Sequence, residues 1–187
     1  MVQKIYSQWR ICGLAIICQI LFSVVFGNEN RVCAYTLGDN IIESASSHIG
    51  VCEEGGNNRG RDVEIYLKSV GLGPGYAWCS AFVVTILDYC SVPHNINAWA
   101  PSAVSKNVVW QRGDGSPPEP GDVFGIYYES KGRVGHVGFI EKWDDKYAHT
   151  IEGNTNDAGS RDGDCVHRKK RSIRTIYKVS RHHERNS

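Results

Sequence analysis

A cysteine, a histidine and a carboxylate, the residue types of a thiol-based acyl-transfer site, occur along this chain. Cys79 stands in YAWCSAFVVTILDYC, residues 76 to 90, behind a Tyr-Ala-Trp lead-in and directly ahead of an apolar run. A thiol is nucleophilic as the thiolate, and a helix start draws its pKa down from about 8.5 through unpaired amides and the helix dipole. The same amides can receive the oxyanion of an acyl transition state. His136 lies in GHVGFI, and Glu152 and Asn154 lie in TIEGN. A histidine on one strand and a carboxylate or amide on its neighbour lets a base take the thiol proton while a third group fixes the tautomer. Each residue alone has a plain alternative: Cys79 packs as a small apolar side chain, and His136 is a structural strand histidine. The ordered set is harder to dismiss than any member.

The elements that must position these groups can be read from periodicity. In GDNIIESASSHIGVCE, Asn40 is a candidate N-cap, Ile41, Ala45 and Ile49 repeat near helical spacing, and Gly50 is a stop. After the turn-rich EEGGNNRG (53–60), Val63, Tyr66, Leu67 and Val70 repeat at three and four before Gly71, which predicts a second helix. Phe82, Val83, Ile86, Leu87 and Cys90 form one stripe of a third helix with Cys79 in its first turn. Beyond the turn SPPEPGDV (116–123), the segments VFGIYY, VGHVGFIEKW, YAHTIEG, CVHRKK and IRTIYKVS read as strands. Helices followed by an antiparallel sheet make an α+β domain. Alternation places His136, Gly138 and Ile140 on one face of their strand, and Thr150, Glu152 and Asn154 on one face of the next unless Gly153 breaks the pattern.

With 187 residues, 41% hydrophobic and 22% charged, the chain fits one globular domain able to bury a core without metal or disulfide help. A formal net charge of +1 gives no field that would draw it to nucleic acid. Residues 1–27 differ: Lys4 and Arg10 precede ICGLAIICQILFSVVFG, and Val25 and Gly27 precede a polar NENR. That order is a secretory signal, or alternatively an uncleaved membrane anchor, and either means export. Residues 28–39 then form a linker, 40–179 the catalytic domain and 180–187 a polar tail. Outside the apolar segment the cysteines are Cys33, Cys52, Cys79, Cys90 and Cys165, an odd set. Two disulfides among Cys33, Cys52, Cys90 and Cys165, in any of three connectivities, leave Cys79 as a free thiol. Buried unpaired thiols are the alternative. No CxxC pair or spaced histidine partner marks a structural zinc site.

WCSAFV (78–83), PGDV (120–123), GHVGFI (135–140) and IEGNTN (151–156), with GSRDGDCVHRKKR after them, resemble the CHAP family of cysteine, histidine-dependent amidohydrolases and peptidases, in its bacterial and phage-like branch. GNNRGRDVEIYLKSVGL resembles the segment ahead of the nucleophile in that branch, and the resemblance spans roughly residues 40 to 179. It implies a papain-like fold and hydrolysis of peptidoglycan amide bonds, by an N-acetylmuramoyl-L-alanine amidase or an endopeptidase. It assigns Cys79 as nucleophile, His136 as base, Glu152 as the group that orients the histidine and Asn154 as an auxiliary polar position. Tyr76 and Trp78 are candidates for the substrate groove. No cofactor or metal is implied: calcium sites occur in some relatives, but NTNDAGSRDGD lacks the spacing of an EF-hand loop and reads as a solvated turn. The partner expected is peptidoglycan, with no nucleic acid, a monomeric chain, and membrane contact only through an uncleaved N-terminal segment. A silent wall-binding module and an antibacterial toxin are the competing readings. The departure from the family is Cys165, where a small residue such as glycine is expected, and it points to a disulfide particular to this chain.

Overall fold

The computed structural model describes residues 35–157 and 163–183. The expected signal or anchor at 1–27, Cys33 and most of the expected linker lie outside them. Among the described residues, no helix is long and apolar enough to cross a membrane.

Three helices precede the sheet: α1 (Leu37–Ser47), α2 (Arg61–Ser69) and α3 (Cys79–Tyr89). Helix α1 begins before the expected Asn40 cap. Thr36 is the cap, its hydroxyl accepting from the Asp39 N–H at 3.1 Å while the Asp39 carboxylate accepts from the Thr36 N–H at 2.8 Å. This reciprocal pair satisfies two amides that a helix start leaves open, which an isolated Asn40 does not. The stops fall as expected, with Gly50 and Gly71 at φ of 90° and 75° in the turns after α1 and α2. Helix α3 is buried from Cys79 through Leu87, so Ala81, Val84 and Thr85 are covered as fully as the expected stripe.

The sheet is antiparallel and seven-stranded: β1 (Val108–Gln111), β2 (Asp114–Gly115), β3 (Val123–Tyr128), β4 (Arg133–Trp143), β5 (Tyr147–Thr155), β6 (Cys165–Ser172) and β7 (Lys178–Ser180), in spatial order β2-β1-β7-β3-β4-β5-β6. The expected α+β arrangement is the one found: the helix opened by Cys79 packs on β4 and β5 of the sheet. The β1–β2 hairpin was not apparent from the sequence. Its turn is Arg112-Gly113, with φ of 47° and 91°, and arginine is a poor advertisement for a two-residue turn needing two positive φ values. The expected strand at 173–180 is mostly irregular, because one short helical turn (Ile173–Thr175) precedes the three paired residues of β7.

Two cores lie on opposite faces of the sheet. Ile41, Leu67, Trp78, Phe82, Phe139 and Ile151 belong to the larger one, under the helices. Trp110, Phe124, Ile126, Ile140, Ala148, Ile176 and Val179 form the smaller one on the far face. The alternation expected in β4 holds, since Val137 and Phe139 enter the first core and Ile140 the second.

The fold extends past residue 179. Ser180 is in β7, and Arg181 is buried, with Nε and Nη2 donating to Asp122 at 2.8 and 2.9 Å. Asp122 comes from the PGDV turn, is fully buried, and also meets His183 Nε2 at 3.2 Å. Burial pushes its carboxyl up, but hydrogen bonds from His183, Arg181 and the Glu119 amide outweigh this and hold it below the ordinary range. Asp122→Ala removes the buried partner of Arg181 and leaves it the more exposed Glu119 carboxylate at 3.0 Å, and is expected to cost about 3 kcal/mol of stability. Urea denaturation reads this directly; a loss below about 1 kcal/mol would mean that the pair is solvated and dispensable.

Candidate active site

Cys79 is the first residue of α3, where its own N–H and those following it have no carbonyl one turn back to bond. Trp78, the residue before it, is not helical. The thiol is 6% exposed and hydrogen-bonded to His136, with the Val137 and Ser80 amides also directed at the sulfur. Burial pushes the Cys79 thiol up, yet the His136 bond and charge and the two amides more than offset it, so its pKa lies below that of an ordinary thiol.

His136 comes to this position through a bulge. Ile126 on β3 faces His136 and Tyr127 faces Val134, so Gly135 is an extra residue on β4. A bulge locally re-aims the strand and its side chains. His136 Nε2 meets Glu152 Oε2 at 2.7 Å, which leaves Nδ1 for the thiol. The hydrogen-bond network sets this tautomer: Nε2–H donates to the carboxylate. Burial alone lowers the imidazole pKa, but the bonds and charges of Cys79 and Glu152 raise it to about 9.

Glu152 is fully buried. Its two oxygens accept from four donors: His136 Nε2, Thr150 Oγ1 at 2.5 Å, and Arg171 Nε and Nη2, each at 2.5 Å. Burial pushes the carboxyl up, and Arg171 and His136 together overcome this and bring it to about 2. Four groups of alternating sign therefore run from the thiolate through imidazolium and carboxylate to guanidinium. Glycine at 138 makes room for the carboxylate stem, because a Cβ there would lie 2.9 Å from both Glu152 Cγ and the Ile151 carbonyl oxygen.

Arg171 and Thr150 were not singled out from the sequence as parts of the site. Arg171 falls in the run HRKKR, which normally reads as a solvated charged face. The available signal was alternation: β6 neighbours the strand of a buried carboxylate, so one of its alternating cations was positioned to answer it.

The other candidates separate. Thr150 and Glu152 share a face as expected, but β5 is irregular between Glu152 and Thr155, with Asn154 at φ 55°. Asn154 is thereby turned away from the imidazole. With its amide oriented to satisfy both neighbours, it accepts from the Trp78 N–H at 2.8 Å and donates to the Gly163 carbonyl at 2.9 Å. It braces the residue before the nucleophile. Tyr76 is 57% exposed and free to line a groove, whereas Trp78 is completely buried and cannot. The Trp78 ring stacks on Tyr66 at 5.6 Å, and its Nε1 donates to Glu53 at 2.9 Å. Adjacency in sequence misleads here because residues 78 and 79 point into different surroundings.

Cys165 is disulfide-bonded to Cys52, as its departure from the family pattern suggested. The bond joins the strand start to a loop already zipped to it by Val166 N–H to the Val51 carbonyl at 2.8 Å and Glu53 N–H to the Asp164 carbonyl at 2.7 Å. Since Glu53 holds the Trp78 indole, the clamp also steadies the approach to Cys79. The expectation of a single free thiol needs correction: Cys90 is free as well, and Cys33 is outside the described residues. Cys90 is half-buried, and burial pushes its thiol up. Iodoacetamide at neutral pH is therefore expected to modify Cys79 well ahead of Cys90. Peptide mapping over time tests the order, and equal rates would argue against an activated Cys79.

Residues 71–154 match the model of the CHAP domain. Among solved structures, the chain is similar to an NlpC/P60 family protein from Bacillus cereus ATCC 10987, with 16% identity and a TM-score of 0.49 over 79% of this chain and 40% of that one. The chain thus spans less than half the length of that protein. No curated protein matches it.

Proposed function

We propose that this chain, whose residues 71–154 match the model of the CHAP domain, is a cysteine hydrolase that cleaves amide bonds in the peptide part of peptidoglycan. The observation that carries the reading is the continuous row Cys79–His136–Glu152, opening at the first residue of a buried helix.

The chemistry follows from that row. His136 Nδ1 takes the Cys79 proton, and the thiolate attacks the amide carbonyl carbon, whose π electrons move onto oxygen. The Cys79 N–H at the helix start is placed to receive that oxyanion. Collapse breaks the C–N bond as His136 returns its proton to the departing nitrogen, leaving an amine and a thioester. Water attacks the thioester while His136 takes its proton, and collapse releases a carboxylic acid and the thiol. Glu152 stays ionised throughout and steadies the imidazolium. These steps use only side chains, backbone amides and water.

The chain acts outside the cytoplasm in this proposal. The N-terminal charge-then-apolar pattern and the Cys52–Cys165 bond both support export, because disulfides persist in oxidising compartments.

Purified chain incubated with peptidoglycan should release fragments whose masses and new amino termini identify the bond cut. An amidase exposes the L-alanine amine, and an endopeptidase exposes one within the stem or cross-bridge. Fragment release no greater than that of the Cys79→Ala protein would end the proposal.

A further inference from the structure

On the sheet face away from the helices, a cavity of about 620 Å³ opens between β1, the end of β3 and residues 173–177. That volume is in the range of small-ligand sites, ~300–1,000 Å³. Its apolar lining includes Trp110 and Ile126, both nearly buried, and Tyr127 and Tyr177, whose rings lie 5.2 Å apart. Two guanidinium groups border it. Arg112 lies 4.8 Å from the centre of the Tyr177 ring, and Arg174 is on the neighbouring turn. Lys178 adds a third cation 5.4 Å from the same ring, and Glu129 is the acid in the lining.

Arg168 and Arg171 of β6 are each tied to a glutamate, Glu141 and Glu152. Arg112 and Arg174 have no carboxylate partner among the described residues. The Arg112 guanidinium lies over the Tyr177 ring as a cation–π contact, and the edge of a guanidinium carries its N–H groups. A planar edge of this kind matches a carboxylate through two parallel hydrogen bonds. One lining residue, Ile126, is the register partner of His136 on the neighbouring strand.

We propose that this cavity is a subsite for an acidic peptide segment, with carboxylates on Arg112 and Arg174 and apolar side chains against Tyr127, Tyr177 and Trp110. The inference rests on the hydrolase reading above, in which the substrate carries a peptide stem bearing free carboxylates beside small apolar side chains. The subsite would hold the stem on the His136 side of the reacting bond.

The full chain carrying Cys79→Ala separates binding from cleavage. Isothermal titration would use three probes: a stem tetrapeptide with free carboxylates, the same peptide with its carboxylates amidated, and the peptide-free disaccharide. The free-acid peptide is expected to bind, and amidation to weaken it about tenfold or more, as is the paired change Arg112→Glu and Arg174→Glu. The amidation arm needs no cavity variant, so it reads the subsite even if the paired change fails to fold. Equal affinity for free-acid and amidated peptides, full affinity in a folded paired variant, or preference for the disaccharide would each overturn the assignment. So would absence of binding by any probe; digestion of peptidoglycan by the unmodified chain would then still uphold the hydrolase reading. Charge-dependent binding without digestion would do the reverse, keeping the subsite and removing the hydrolase.

Discussion

Cys79→Ala and His136→Ala are each expected to reduce peptidoglycan hydrolysis by roughly 10⁴-fold or more, with the double change no worse than either single one. Both groups act in one step: the first supplies the attacking sulfur, and the second carries its proton to the leaving nitrogen. Residues that work as a unit lose most of their joint effect when one is removed. Neither change should unfold the domain, because alanine at position 79 is tolerated in a helix and His136 is held by its strand. Rates on soluble wall fragments, with a thermal melt as control, test both statements. Substantial hydrolysis by the His136→Ala protein would remove the proposed base, and additive losses would mean that the two residues contribute separately.

The second large effect belongs to Arg171. Its guanidinium donates twice to a carboxylate with no solvent contact, and burial works against ionisation of that carboxylate. Arg171→Met removes the offset, so Glu152 takes up a proton at higher pH and no longer stabilises the imidazolium. The expected result is a loss of about 10²-fold at neutral pH, with the acidic limb of the pH–rate profile moved upward. Arg171→Lys restores the charge without the parallel pair of donors and should recover only part of the rate. The alkaline limb of the native chain should fall near the His136 value of about 9, as rising pH removes the proton needed by the leaving amine. A uniform loss in Arg171→Met, with both limbs unmoved, would reduce Arg171 to a support for the fold. By the same argument Glu152→Ala should cost more than Asn154→Ala, since Asn154 braces the Trp78 amide and does not meet the imidazole.

Period placed Cys79 at a helix start and His136 and Glu152 on successive strands, while the family resemblance singled out these three, and the structure brings them into contact. The third helix and the central strands were readable for the same reason: their apolar residues repeat without interruption. Legibility failed where a local break decides direction. Asn154 follows Glu152 by two residues and should share its face, but the irregular stretch after Glu152 turns it toward Trp78. Trp78 was misread because side-chain direction at a helix entry is set by backbone angles that composition does not reveal. Arg171 was hidden in a run of cations whose members look alike until the buried carboxylate opposite them is known. Cys52 and Cys165 were both candidates for pairing, and it is the register between loop and strand that sets them opposite each other.

The placement of β7 has a bearing on how the molecule is made. Residues 178–180 lie between β1 and β3, strands that leave the ribosome some fifty to seventy residues earlier. Until they emerge, β3 has a bare hydrogen-bonding edge and β1–β2 is an isolated hairpin, too small to persist in water. An unpaired edge is a template for pairing with another chain. The growing polypeptide can hold the reacting strands together in β3–β6 before this gap is filled, yet it is then at its most exposed to aggregation. The last three-residue strand is thus a closure step, and chains halted before it should accumulate as sticky intermediates, not as smaller versions of the native domain.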